Sequence, residues 1–344
     1  MLVAVSIFCF IIKIINTKYS MGQLWGMGGL ALLAIVVTVC SRDDEILAVA
    51  VLLMALKDTD LQIIIEIWTY VYGIIFIGTI LYSLFLQENI AMYAVFRPGR
   101  GYELRYCLGF HHPNSLQGIF LKIVCGVLLL HHNWKYYVLL FAGNLFLYFI
   151  THSRAGALAT AVVIFGIAII RSIKKRKFTF KFIRNIEMIS TLVITLGTIA
   201  LTYLYNHYIW ISLIDRFLSG RIRWANTFAN WMRISLFGSP LPIISAYGER
   251  VDAGGIAFDC GVPRTLLSYG IVVFCMLIIA YLFSIYFFWK EQHIIESIII
   301  MGCLIYATCE NAFGNPLTNM GLLLGLYFVV WKNAIKEKAE IVEE

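Results

Sequence analysis

The residues with the most chemical content in this chain are arginines and the polar groups near them. Arg105 stands ahead of Gly109-Phe110-His111-His112-Pro113-Asn114-Ser115, Arg154 follows Thr151-His152-Ser153, Arg221 and Arg223 precede Trp224, and Asp259 and Glu310 lie at the edges of long apolar runs. A guanidinium presents a planar fork of N–H donors that grips phosphate or carboxylate oxygens bidentately. Four of the surrounding motifs read as helix entries: Asn114 or Ser115 as a cap, Ser153 as a second, Pro263 at a first helical position ahead of Arg264, and Asn315-Pro316-Leu317-Thr318. Helix N-termini carry partial positive charge and unsatisfied N–H groups, so several of them converging with Arg make an anion cradle. The need for a cap at every helix start explains Ser153 and Thr318 on its own, but not the paired His and Arg.

His111 and His112 are adjacent, so their rings diverge, and no further ligand set at usable spacing accompanies them; no metal site is expected. The two readings of His112 are a proton acceptor for a hydroxyl and a structural histidine. Glu310 is costly where it sits, which marks it as a candidate to orient a base or bind hydroxyls, and Lys122 as a candidate partner for Glu310 or Glu66. Glu296 reads as inert.

These groups must be positioned by a scaffold with very little polar surface. The chain has 344 residues, 60% hydrophobic and 14% charged, with a mean hydropathy of +0.82. Soluble domains carry roughly 25% charged residues, so a soluble enzyme and a nucleic-acid-binding domain are both excluded, and the net charge of +7 reflects topology. Eight cysteines without a C-x-x-C pair read as small buried hydrophobes. No Walker loop, dinucleotide fingerprint or Ser-His-Asp order is present, which leaves no nucleotide site and no expected cofactor.

A membrane span needs about 20 apolar residues, and runs near 24–40, 63–86, 115–130, 136–151, 155–170, 186–205, 264–289, 294–310 and 318–331 qualify, with shorter runs at Leu2 to Ile15 and Ile46 to Leu56. The expected fold is an all-α polytopic transmembrane helical bundle of about 10–11 spans, a single integral-membrane domain over 1–344. Leu2 to Ile15 lacks the basic flank and cleavage site of a signal peptide. The stretch Arg171 to Arg184 holds seven basic residues and no acid, which places it in the cytoplasm. Parity then puts every Lys-bearing loop and the 332–344 tail inside, and 87–114, 151–155, 206–263 and 311–317 outside.

The outer segments, counted with Arg264 at the edge of the large loop, hold ten of the fourteen Arg and none of the thirteen Lys. That bias predicts a phosphate-bearing ligand on the outer side, the alternative being a positive-inside rule that removes Lys more strictly than Arg. Within the large loop 206–263, Arg221 to Phe237 spaces Trp224, Phe228, Trp231 and Ser235 as an amphipathic helix lying in the interface, aromatic face down. The stretch from Gly238 to Gly255 has two Pro and four Gly, and reads as a loop able to close over a substrate.

The pattern Arg105, Gly109 to Asn114, Ser153-Arg154, Ser219-Gly220-Arg221 with Trp224, and Asp259 ahead of Leu267-Ser268-Tyr269-Gly270-Ile271 resembles the Wzy-type polysaccharide polymerases of Gram-positive bacteria, relatives of the O-antigen polymerases and ligases. The resemblance runs over nearly the whole chain, including Ser41 to Asp44 and Ala55 to Asp60. The chain departs from it at Gly261-Val262-Pro263, where the family commonly has a Tyr, and in its bulky Gly-Pro-rich stretch.

The resemblance implies a GT-C-like membrane glycosyltransferase. It would act on undecaprenyl-diphosphate-linked oligosaccharide at the outer leaflet of the bacterial plasma membrane, without metal or nucleotide sugar. The roles it implies are Arg105, Arg154 and Arg221 on the diphosphate with Arg223 in support, His112 as base or acceptor orienter, Asn114 and Glu310 as sugar or network contacts, and Asp259 as a further member. Expected partners are the lipid-linked oligosaccharide, membrane lipid, a chain-length regulator and a flippase. A ligase using another acceptor shares the same constellation. A lipid-linked-oligosaccharide flippase or exporter, or a structural or sensory protein, explains an Arg-only outer face less well.

Overall fold

The computed structural model describes residues 11–86, 92–97, 101–172, 177–244, 249–251 and 257–343; side chains are described except at 86, 92–97, 177–180 and 332–343. The helices are α1 (Met21–Ser41), α2 (Glu45–Ala55), α3 (Leu61–Leu86), α4 (Pro113–Leu130), α5 (Trp134–Thr151), α6 (Arg154–Ser172), α7 (Lys177–Leu204), α8 (Ile209–Phe217), α9 (Arg221–Trp231), α10 (Gly261–Lys290), α11 (Ile294–Ala307) and α12 (Met320–Glu343). Six of them, α1, α3, α4, α6, α7 and α10, are long and apolar enough to cross a membrane. Helices satisfy their own backbone polar groups, which is what a bilayer demands of a spanning segment. The chain is a multi-pass α-helical membrane protein.

Other elements depart from the expected count. Ile46 to Leu56 becomes the 11-residue α2, about 16 Å long and short of a full bilayer crossing. The apolar part of α12 ends at Trp331, and α11 is likewise short. The 332–344 segment continues α12 as helix through Glu343. Residues 1–10, and with them most of the Leu2 to Ile15 run, lie outside the described set, as do 173–176 of the basic stretch.

The core lies where α4, α6, α10, α11 and α12 meet, around Leu116, Val124, Val163, Ile299, Leu304 and Leu324. Glycine lets these helices touch, as in membrane bundles generally: a Cβ at Gly321 would lie 2.6 Å from the Ile300 Cα. Some buried polar groups pair inside the bundle. Asn144 bridges Gln117 at 2.6 Å and the Ala157 carbonyl at 3.1 Å. Glu187 accepts from Trp289 Nε1 at 2.6 Å and from the Ser297 hydroxyl.

Chain reversals sort the loops into two sides. Lys18, Lys57, Lys135 and Lys290 fall on one; Arg105, Arg154, Arg221 and Arg264 fall on the other. The α1–α2 turn also lies on the Arg-bearing side, because Asp43 meets Arg264 at 3.6 Å and accepts from the Tyr269 hydroxyl at 3.1 Å.

Three features of the Arg-bearing side correct the sequence reading. First, an antiparallel hairpin, β1 (Met92–Arg97) and β2 (Gly101–Tyr106), interrupts the all-α expectation, with Tyr93 opposite Arg105. Alternation in Tyr102-Glu103-Leu104-Arg105-Tyr106 is its signal. Its pleat is inverted, leaving Tyr102 and Leu104 exposed and Arg105 buried. Second, α9 ends at Trp231, so Ser235 is outside it. Its face packs on protein: Phe228 stacks on Phe258 at 4.3 Å within a small cluster with Met232, Ile244 and Leu267. The exposed apolar face belongs instead to α8, through Ile209, Trp210, Leu213 and Phe217.

Third, the 235–239 segment is built into α10. That helix breaks at Gly270 (φ 85°), and Ile271 and Val272 donate to the Ser235 and Leu236 carbonyls at 2.9 and 3.2 Å, while Ser239 N donates to the Ser268 carbonyl. Gly238 (φ 88°) and Gly270 lie in such close backbone contact that a Cβ at either would run into the other strand's carbonyl. The loop expected to close over a substrate is thus anchored at its first residues. Gly254 and Gly255 lie outside the described set.

Candidate active site

The site forms where three chain segments converge on one guanidinium. Arg221 opens α9, whose first turn lacks a side-chain cap of its own. Asp215 of α8 supplies it, accepting from Ile222 N and Arg223 N at 2.8 and 3.2 Å. Asn226 ties the same helix to the Thr202 carbonyl at the end of α7, at 2.9 Å. Arg221 is therefore fixed at the backbone before its side chain reaches anything.

On the opposite wall, Cys260 and Gly261 bring the start of α10 against the turn after α11. Cys260 Sγ donates to the Thr308 carbonyl at 2.8 Å. A Cβ at Gly261 would lie 2.7 Å from the Glu310 carbonyl oxygen and 2.9 Å from that of Ala307. This close approach sets Asp259 beside Glu310. Arg221 spans the two, with NH1 on Asp259 and NH2 on Glu310 Oε1 at 2.7 Å.

The third segment comes from the α4 entry. Asn114 Nδ2 donates to the same Glu310 oxygen at 2.6 Å, and its Oδ1 accepts from Arg105 NH2 at 2.7 Å. Arg105 Nε donates to the Thr151 carbonyl at 2.6 Å, at the end of α5. Arg105, Asn114, Glu310, Arg221 and Asp259 thus form one continuous chain of charge-assisted hydrogen bonds. The Tyr306 hydroxyl reaches the Asn114 carbonyl at 3.5 Å.

The cap of α4 differs from expectation. Its N-cap is His112, whose Nδ1 accepts from the Asn114 N–H at 3.1 Å. A neutral ring that accepts at Nδ1 carries its proton on Nε2, so the outward nitrogen is a donor. Burial, then the charges of Arg105 and Arg221, lower the ring's pKa to about 4. His112 is neutral throughout the physiological range and is a poor proton acceptor there.

Glu310 behaves oppositely. Burial pushes its carboxyl up to about 7, against the pull of Arg221 and with the nearby Asp259 adding to the rise. Burial also works against the Arg221 charge, but Glu310 and Asp259 more than offset it and hold the guanidinium above its ordinary value. The Arg221 guanidinium is therefore cationic at every accessible pH, while Glu310 exchanges its proton near neutrality.

The other expected members sit apart. Arg154 opens α6, half-buried, without a hydrogen bond or ion pair to the described residues. Arg223 lies over the Trp224 ring at 4.9 Å and is exposed, outside the network. Lys122 stacks over Tyr72 at 4.6 Å rather than pairing with Glu310 or Glu66; Glu66 accepts from Gln62. The α10 helix begins at Gly261, so Pro263 is its third residue, and the α12 entry is capped by Asn319, which accepts from Leu322 N at 2.9 Å, rather than by Thr318. The Thr151 carbonyl and Tyr306 are site contacts that residue type alone does not advertise.

No family model, curated protein or solved structure matches the chain.

Proposed function

We propose that this protein is a membrane glycosyltransferase that joins lipid-diphosphate-linked oligosaccharide repeat units into a polysaccharide. It works at the extracytoplasmic leaflet of a bacterial plasma membrane, on a GT-C-like scaffold. The observation that carries this reading is Arg221, clamped between Asp259 and Glu310 and joined through Asn114 to Arg105, on the side that gathers the arginines.

In the reaction, a hydroxyl of the incoming unit attacks the anomeric carbon of the growing chain, and the bond from that carbon to the lipid diphosphate breaks. The diphosphate leaves as a stable anion, so the step requires charge stabilisation rather than protonation of the leaving group. Glu310 takes the hydroxyl proton. Its neutralisation loosens the Arg221 N–H it held, and that N–H turns to the departing diphosphate together with Arg154. His112 acts as an Nε2–H donor. Arg105 and Asn114 keep Glu310 in register.

The test uses purified protein with lipid-linked saccharide extracted from a strain lacking the gene. Lengthening of the lipid-linked chain is the expected product. Transfer to a different acceptor alone would make the enzyme a ligase, and no bond formation would refute the assignment.

A further inference from the structure

A pocket of about 460 Å³ opens on the Arg-bearing side, between the α1–α2 turn and residues 240–243 and 250–251, and none of the site residues above lines it. Its polar lining includes Arg42, Arg250, Asp43 and Ser268, and its apolar lining includes Pro240 and Pro242. Both arginines are exposed side chains on a bonded backbone. Arg42 is the C-cap of α1 in the left-handed conformation (φ 56°), its N–H on the Thr38 carbonyl at 2.9 Å. A position like this ordinarily takes Gly or Asn, so a bulky cation there is retained against a local conformational cost. Arg250 sits in an antiparallel bridge with Ile244, next to the Val251 N–H to Ile243 carbonyl bond of 2.9 Å.

Charge in the pocket is unbalanced. Asp43 is engaged by Arg264 and shares the Tyr269 hydroxyl with Glu45, and Arg42 and Arg250 have no ion pair among the described residues. Ser268 is 1% exposed, and its Oγ has no hydrogen-bond partner among the described residues. A buried hydroxyl with no partner costs free energy that a bound acceptor would recover. The Ser268 backbone is fixed by Ser239 N, which donates to its carbonyl at 3.1 Å.

We infer that this pocket binds an oxyanion, a phosphate or a carboxylate, carried on a saccharide, with Arg42 and Arg250 as the charge partners and Ser268 Oγ as a hydrogen-bond donor. The oxyanion preference rests on the pocket alone; its attachment to a saccharide rests on the function proposed above. The apolar Pro240–Pro242 wall suits the C–H face of a sugar ring, and the open mouth suits a group that is part of a longer chain.

The experiment is a thermal-shift titration of the purified full-length protein with inorganic phosphate, with glucuronate, and with glucose as the neutral control. The variants are the double substitution Arg42→Gly with Arg250→Gln, which preserves the left-handed turn, and separately Ser268→Ala. A ligand that binds the native state alone raises Tm by about 2–4 °C at tenfold excess over Kd. Phosphate, glucuronate or both should stabilise the wild type, glucose should not, and the double variant should need at least tenfold more ligand. A response to phosphate alone assigns a phosphate-bearing ligand, and to glucuronate alone an acidic sugar. Absence of any response, or an unchanged response in a folded double variant, would overturn the inference. The readout is binding, so it fails or succeeds independently of polymer formation.

Discussion

Replacing Glu310 by Gln removes one charge from the network while keeping its shape. The amide oxygen of Gln can still accept from Asn114 and Arg221, whose bonds to the native carboxylate are 2.6 and 2.7 Å, so the fold around it should persist. The variant cannot take up a proton. A positioned base contributes about 10²- to 10⁴-fold, equivalent to roughly 2.7–5.4 kcal/mol of barrier, and the initial rate of chain lengthening should fall by that factor.

The pH dependence identifies the cause. Burial raises the Glu310 carboxyl to about 7, and the base form is the ionised one, so wild-type rate should rise about tenfold between pH 6 and pH 8. The Gln variant should be flat across that window. Glu310→Asp should keep the limb at lower rate. Rates are read on purified protein with lipid-linked saccharide, with Tm measured on each variant. A Gln variant within about threefold of wild type, or one that retains the same limb, would refute the role of Glu310.

Arg221→Lys keeps the charge but cannot span Asp259 and Glu310 together; the loss of a preorganised donor predicts a fall of about 10²- to 10³-fold in rate, read in the same assay. His112→Asn should retain the helix cap and the wild-type Tm, whereas His112→Ala should lose about 0.5–2 kcal/mol; disappearance of the pH limb in His112→Asn would transfer the base from Glu310 to His112. Gly238→Ala and Gly270→Ala force a Cβ into backbone at positive φ, with about 1–3 kcal/mol of strain before the clash is counted. Both should lower the yield of folded protein and abolish activity, while Gly197→Ala, with nothing nearby, should be silent; normal behaviour of the first two would remove the anchored loop.

Much of the helical framework is legible in composition, because a bilayer makes apolar length a direct structural requirement. The runs at 24–40, 63–86, 115–130 and 155–170 agree with helices to within a few residues. The hairpin at 92–106 is harder to read, since its pleat turns Arg105 inward and Leu104 outward, the reverse of a soluble strand. The break at Gly270 is invisible locally, because the carbonyls that repair it come from Ser235 and Leu236.

The site shows the same division. Residue type and placement single out Arg105, Asn114, Arg221, Asp259 and Glu310, all of which the fold brings together. Pairing is another matter: Asn114 meets Glu310 across 196 residues, while Arg223, two positions from Arg221, turns to its own neighbour Trp224. The proton on His112 is decided by a cap bond to Asn114 N, which depends on where the helix starts. Arg42 lies in a short turn whose side of the bundle is settled only by the Asp43 contacts to Arg264 and Tyr269.

The measurement closest to the central claim is the surface polysaccharide of cells lacking the gene, taken together with their lipid-linked intermediates and the leaflet on which these lie. Single repeats should accumulate on the outer leaflet. Wild type should restore the ladder, and Glu310→Gln or Arg221→Lys should not, at equal membrane abundance. Repeats trapped on the inner leaflet, or a ladder of normal length in the absence of the gene, would contradict it.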